Sequence, residues 1–320
     1  MNYRSKLKVI PIVLLTMAQI LGSAGVGRSG IPELVPLLKH KKESVRLSAV
    51  YELGKIGESA IPYLIPMLED KSALVRRDAV HVLGRIMGKS AAVAIPDLIL
   101  LLKDPDKDVR WNTASALGSM GESAKVAIPY LIPLLKDPHR DVRSSAASTL
   151  TYMGESAKVA IPYIIPLLRD PDKGVRSTVA FALGFMGKSA KAAIPNLIPL
   201  LRDQDKEVRS KAAYALGRFG ESSKSAIPNL IPLLKDLDSK VRWTTAQALG
   251  VMGESAKSAI PDLIPLLKDP DKSVRSTAAG ALGDIGESAK VAILDLIPLL
   301  RDPDSNVRGV AAHTLRKLGY

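Results

Sequence analysis

The residues able to do acid–base or metal chemistry are few in kind and regular in position. The chain has no cysteine, and His40, His81, His139 and His313 are its only imidazoles. Thiol catalysis, disulfide scaffolds and Cys-based metal sites are therefore excluded. No histidine is followed by glutamate: the pairs are His40-Lys41, His81-Val82, His139-Arg140 and His313-Thr314. A Gly-rich phosphate loop is also missing. Carboxylates are plentiful, 32 Asp+Glu, but they recur at a fixed interval. An Asp lies six residues before an Arg in Asp70/Arg76, Asp104/Arg110, Asp137/Arg143, Asp170/Arg176, Asp203/Arg209, Asp236/Arg242, Asp269/Arg275 and Asp302/Arg308. A catalytic acid–base pair stands alone, whereas a pair copied along the chain points to structure. The expectation is no catalytic residue, no cofactor and no metal.

The same interval defines the elements that carry these residues. Val-Arg recurs with its Arg at 46, 76, 110, 143, 176, 209, 242, 275 and 308, at spacings of 30, 34 and then 33. Units start near Ile31, Ile61, Ile95, Ile128, Ile161, Ile194, Ile227, Ile260 and Ile293, and Pro follows each Ile except the last, where Leu294 stands. Such a period is the mark of a repeat architecture. The first unit lacks three residues near Glu58-Ser59-Ala60, and the second has one extra near Met87-Gly88.

Each unit reads as two helices. In the fourth, Ile128-Pro129 opens helix A, where a missing amide hydrogen costs nothing. Leu131, Ile132, Leu134 and Leu135 give it an apolar face, Pro133 should bend it, and Asp137-Pro138 stops it. Helix B is predicted over about 140–153, with Val142, Ala146, Thr149, Leu150 and Met153 on one face and Gly154 as the left-handed residue after its end. One such pair cannot bury its apolar face, so the pairs must stack as an all-α solenoid. No linker or change of composition interrupts residues 25–320. The apolar mass, 47% hydrophobic with only 4% aromatic, suits this construction and excludes a disordered chain.

The pattern resembles HEAT repeats. The Asp-x5-Arg pair, the Val before the Arg and the Ala-Leu-Gly ending are most similar to the subgroup named after phycobilisome lyase subunits, common in cyanobacteria and other prokaryotes. The resemblance implies a right-handed superhelix of nine two-helix repeats whose B helices line a concave surface. It also raises a bilin-handling enzyme as an alternative, but no residue constellation singles out a tetrapyrrole site. Metal-dependent hydroxylases with a similar fold use paired His-Glu motifs, which this sequence lacks.

The Asp/Arg pairs are read as a ladder, each guanidinium fork satisfying carboxylates and helix ends within and between neighbouring repeats. A Gly eight residues after the Arg (54, 84, 118, 184, 217, 250, 283) lies inside helix B, where it costs about 1 kcal/mol against Ala. It is read as permitting close approach of the next helix; Thr151 and, in the last unit, Arg316 depart from this rule.

Partner identity should lie in positions that do not repeat. Residues one, five and nine after each Arg form a stripe on helix B opposite the core face. These 27 positions hold seven of the 13 aromatic residues. Aromatics beside Arg, Ser and Gln resemble an interface composition. Tyr51, Trp111, Tyr152, Phe181, Phe185, Tyr214, Arg218, Trp243 and Gln247 are the candidate partner-binding residues. Neighbouring repeats covering these rings is the competing reading. Tyr63, Tyr130 and Tyr163, just after the helix A proline, are read as packing or solvated surface.

The net charge of +13 suggests an acidic partner, an anionic lipid or a nucleic acid. Lys39, Lys41, Lys42 and Arg46 form the densest cluster, and Lys125, Lys158, Lys191, Lys224, Lys257 and Lys290 add one charge per repeat. A solvated edge is the plain reading of that ridge; a nucleic-acid scaffold is the alternative, with steep salt dependence as its signature.

Residues 1–24 fit a secretory signal: Arg4, Lys6 and Lys8, an apolar stretch over 9–21, then Gly22-Ser23-Ala24. Its removal would leave a charge of +10 and place the chain in the periplasm, a lumen or the medium. In the second reading, residues 13–25 match residues 274–286 as a degenerate capping helix, and the protein is cytoplasmic. The sequence thus describes a non-catalytic scaffold that binds a protein or peptide.

Overall fold

Each repeat folds outward from its prolines. The structure, a computed structural model, describes residues 30–86 and 89–320, so both readings of residues 1–24 lie outside it. In the fourth repeat, Pro129 occupies the first turn of a short α segment, Ile128–Leu131, and the chain then tightens into a 3-10 turn, Ile132–Lys136. Pro133 is the cause: it lacks the amide that an α turn would use, and its ring crowds the preceding turn. The third repeat is the natural control. Leu100 stands there in place of the second proline, and the α segment runs unbroken over Ile95–Leu101. The expected bend is thus a change of helix type that depends on one residue.

After this arm the chain turns through an extended residue, His40 in the first repeat and Asp in others such as Asp70 and Asp137, and enters a long helix. These are α1 (Glu43–Ile56), α2 (Ala73–Arg85), α3 (Lys107–Met120), α4 (Arg140–Tyr152), α5 (Lys173–Phe185), α6 (Lys206–Arg218), α7 (Ser239–Val251), α8 (Lys272–Ile285) and α9 (Ser305–Lys317). Gly154 follows α4 with φ +61, a left-handed conformation that L side chains rarely adopt. A 3-10 turn, such as Gly154–Ala160, then leads to the next Ile-Pro.

Contacts divide the chain into two compact units, one ending at Ala160 and the other spanning Ile161–Tyr320. The first contains α1–α4 and the second α5–α9, and within each unit successive long helices pack side by side. Val142, Ala146, Thr149, Leu150 and Met153 are buried, as are Leu131, Leu134 and Leu135, while Ile132 is half-buried. A fully buried Leu contributes about 2–3 kcal/mol by leaving water, and these rows recur in every repeat.

Helix spacing is set by a glycine on one helix and a small residue on the next. A Cβ added at Gly217 would lie 2.7 Å from the Ala248 Cα. Gly84, Gly184 and Gly250 meet Ala116, Ala215 and Ala281 in the same way. Where the facing residue is Thr, its hydroxyl donates across the interface: Thr149 to the Ala114 carbonyl at 2.8 Å and Thr314 to the Ala279 carbonyl at 3.0 Å. Thr151, the departure from the Gly rule, is buried in α4 and donates to the Ala147 carbonyl of its own helix at 2.9 Å.

Candidate binding faces of the long helices

The edge of each unit is an arginine ladder, and its rungs join different repeats. Nε and Nη2 of Arg76, Arg110, Arg176, Arg209, Arg242 and Arg275 donate to both carboxylate oxygens of Asp104, Asp137, Asp203, Asp236, Asp269 and Asp302, at 2.7–3.0 Å. Nη1 of the same side chains turns back to the Asp six residues earlier, but to its carbonyl, at 2.7–2.9 Å. Arg143 and Arg308 make that same turn, to the carbonyls of Asp137 and Asp302 at 2.8 Å. The Asp and Arg of one repeat are therefore not side-chain partners: the carboxylate serves the arginine of the repeat before.

The first rung differs because the first repeat is short. Asp70 lies 24 residues after Arg46, where the regular rung spans 27. Asp70 instead receives Lys39 at 2.7 Å, and Arg46 reaches the buried Asp78 at 3.1 Å, which Arg77 also holds at 2.8 Å. The second rung spans 28, matching the residue inserted in the second repeat. Asp78 was not legible in advance, since no other repeat has an acid at that place.

A second aspartate escaped the sequence reading. In the Asp-x-Asp turns, where x is mostly Pro, the latter Asp caps the following helix: Asp106 accepts the Asp108 and Val109 amides at 2.8 and 3.1 Å. Asp172, Asp205, Asp238, Asp271 and Asp304 cap α5–α9. An Asp three residues before the Val of the Val-Arg pair was the available signal. Three of these caps also take a lysine of the preceding repeat: Lys173 on Asp205, Lys206 on Asp238 and Lys272 on Asp304, at 2.7–2.9 Å. Each lysine holds its carboxyl below the usual 3.8. Arg275 does the same to Asp302. At Asp137 burial pushes upward, but hydrogen bonds from Arg110 and the His139 amide outweigh it and leave the carboxyl lowered.

The stripe faces solvent in large part. In the first unit Tyr51, Trp111 and Tyr152 are 52%, 43% and 61% exposed. Tyr51 lies between two cations, with Lys55 Nζ 5.0 Å and the Arg85 guanidinium 5.8 Å from its ring centre. Tyr152 borders a cleft of about 460 Å³ with Ser115, Ser119 and Ser148, and Trp111 borders another of about 320 Å³ with His139 and Ser144. In the second unit Phe181 and Phe185 are 37% and 53% exposed, Arg218 and Gln247 are exposed, and Tyr214 and Trp243 are half-buried. Phe181 stacks on Tyr214, with ring centres 5.4 Å apart and planes 22° from parallel. Tyr214, stacked against Phe181, and Trp243 are thus partly covered, while the other five rings are exposed. Two stripe serines belong to the packing: Ser210 is buried against the Thr244 hydroxyl at 3.1 Å, and Ser276 accepts the Asn306 amide at 2.9 Å.

The short opening helices and the turns before them are simpler. Tyr63, Tyr130 and Tyr163 are exposed. Ridge lysines 125, 158, 257 and 290 each pair with the Glu three residues before, Glu122, Glu155, Glu254 and Glu287. Such exposed pairs contribute little stability, but they cancel much of the ridge's outward charge. Among the described residues no group of three or more His, Asp or Glu is placed to hold a metal. No described helix is long and apolar enough to cross a membrane.

Stacked helix pairs with an interior arginine at a fixed place define a class of protein. The family of HEAT repeats matches residues 11–84, 31–99, 61–151, 95–169, 128–197, 161–236, 194–259 and 227–316, and the chain belongs to that family. An engineered protein of known crystal structure is similar over 90% of this chain and 88% of its own, at 25% identity and a TM-score of 0.62. Importin beta shares the fold at 17% identity and a TM-score of 0.63; the match covers 90% of this chain but 47% of importin beta. No curated protein matches the sequence.

Proposed function

We propose that this protein is a non-catalytic scaffold that binds a protein or peptide through the stripe of its long helices. The observation that carries this reading is the exposure of Tyr51, Trp111, Tyr152, Phe181 and Phe185, one, five or nine residues after the arginine of their long helices. Folding gains from burying aromatic rings, so rings left in water on a recurrent face have another use. Partially buried Tyr214 and Trp243 act as a floor, and Arg218 and Gln247 supply polar contacts. The ladder residues hold the shape and are not contacts. The phycobilisome-lyase subgroup and a bilin-handling role rest on the repeat signature alone.

The test is capture from a lysate of the native host, read by mass spectrometry. The intact chain retains a specific partner, and the variant Trp111→Ser/Phe181→Ser/Phe185→Ser loses it while unfolding at the same temperature. Equal capture by the variant would remove the stripe from consideration.

A further inference from the structure

The stripe of the second unit carries a charge pattern that selects among partners. Helices α5, α6 and α7 contain one carboxylate, Glu207, and Lys240 already holds it at 2.8 and 2.9 Å. Their cations are mostly committed as well. Arg176, Arg209 and Arg242 lie in the ladder, and Lys173 and Lys206 hold Asp205 and Asp238. Lys211 and Arg218 have no carboxylate partner among the described residues. Lys211 Nζ instead lies 4.5 Å from the Phe181 ring centre, and Arg218 follows Tyr214 by one helical turn on α6. Phe185 lies 6.5 Å from Phe181, so an exposed apolar platform carries the Lys211 charge against one ring, with Arg218 one turn beyond the stacked Tyr214.

Resting on the stripe reading above, we infer that this face takes an acidic peptide segment with an aromatic or leucine side chain as its anchor. The anchor packs on Phe185 and the exposed edges of Phe181 and Tyr214. Flanking Asp or Glu side chains meet Lys211 and Arg218, a charge-assisted contact stronger than a neutral one. A basic partner is rejected twice. The face of Phe181 already carries a cation, and no free carboxylate lies on these helices to receive another. A nucleic-acid strand also stacks on rings, but its regular phosphates call for a longer row of free cations than these three helices offer.

The test pans a displayed library of random peptides, about 12 residues long to match a groove-bound segment, on the full chain. Counter-selection uses Lys211→Glu/Arg218→Glu. Enriched peptides are expected to place Asp and Glu around Phe, Tyr, Trp or Leu. By fluorescence polarisation, a synthetic enriched peptide should weaken about tenfold with the charge variant, lose affinity with salt, and weaken comparably with Phe185→Ser. Both variants are checked for unchanged unfolding temperature. No enrichment, or neutral or basic peptides, overturns the inference. Loss with Phe185→Ser but not with the charge variant overturns the acidic partner and leaves the stripe reading standing. Indifference to both variants overturns the two together. An oligo-dT strand that binds more tightly than the peptide, and is lost with the charge variant, assigns the face to nucleic acid instead.

Discussion

Arg176 and Asp203 belong to adjacent repeats, and their side chains meet fork to fork at 2.8 and 3.0 Å. The third guanidinium nitrogen, Nη1, donates at 2.9 Å to the Asp170 carbonyl of its own repeat. One side chain therefore ties the turn before its own helix to the turn before the next. Asp203 in turn accepts the Asp205 amide at 2.9 Å, and Asp205 caps α6. The polar edge of a repeat is a single connected device, mostly shielded from water.

Arg176→Ala should leave a mostly buried Asp203 carboxylate without its two charge-assisted bonds. The expected loss is about 2–3 kcal/mol, or about 5–10 °C in unfolding temperature for a unit of this size. Thermal unfolding followed by circular dichroism checks it. Peptide affinity at the α5–α7 face should be unchanged, because the edge is not the contact surface.

Two glycines give a matched pair. Gly217→Ala gains helix propensity but drives a Cβ to 2.7 Å from the Ala248 backbone, so it should destabilise. Gly309 lies inside α9, and a Cβ there meets nothing within 4 Å. Gly309→Ala should stabilise by up to about 1 kcal/mol. Urea unfolding of both variants reads the opposite signs.

Acid should loosen the edge in a defined direction. Asp205, Asp238, Asp302 and Asp304 have lowered pKa values in the folded chain, held down by Lys173, Lys206, Arg275 and Lys272. Their stabilisation is complete above the unfolded value near 3.8 and is lost as pH falls through the lower folded values. The unfolding temperature should be level near neutrality and drop once pH falls below that value. Arg275→Ala should weaken that acid dependence, because Asp302 then titrates nearer its ordinary value.

Much of this was legible in the chain because a repeat averages out accident. Nine copies of Val-Arg, eight of the opening Ile-Pro and seven of the Leu-Gly ending fix element order, the buried rows and the close glycine contacts without reference to coordinates. The direction of the ladder was not legible. Asp six residues before Arg leaves bonds within and between repeats both open, and only the stacking shows that the carboxylate belongs to the preceding repeat's arginine. The switch to a 3-10 turn at Pro133 was foreseen only as a bend, since proline breaks an α helix without specifying what replaces it. Exposure along the stripe also depends on three-dimensional packing. Tyr51 and Tyr214 hold the same register position, yet the first is open and the second is half covered through its stack with Phe181.

The two readings of residues 1–24 separate by the intact mass of protein from its native host. A full-length mass would favour the capping helix. A mass short by residues 1–24 would instead establish export and restrict the partner search to proteins outside the cytoplasm.

Two side chains of the fifth repeat are equally open to solvent: Phe185 at 53% on the stripe, and Tyr163 at 52% in the opening turn Ile161–Ile164. Replacing each in turn with a photo-reactive benzoylphenylalanine, in full-length protein bound to its captured partner, compares the two faces at matched accessibility. Crosslinks to the partner from position 185 and none from position 163 are expected if the long-helix stripe is the binding face. Crosslinks from position 163, with none from 185, would place the partner on the face of the short opening helices and contradict the scaffold surface proposed for this protein.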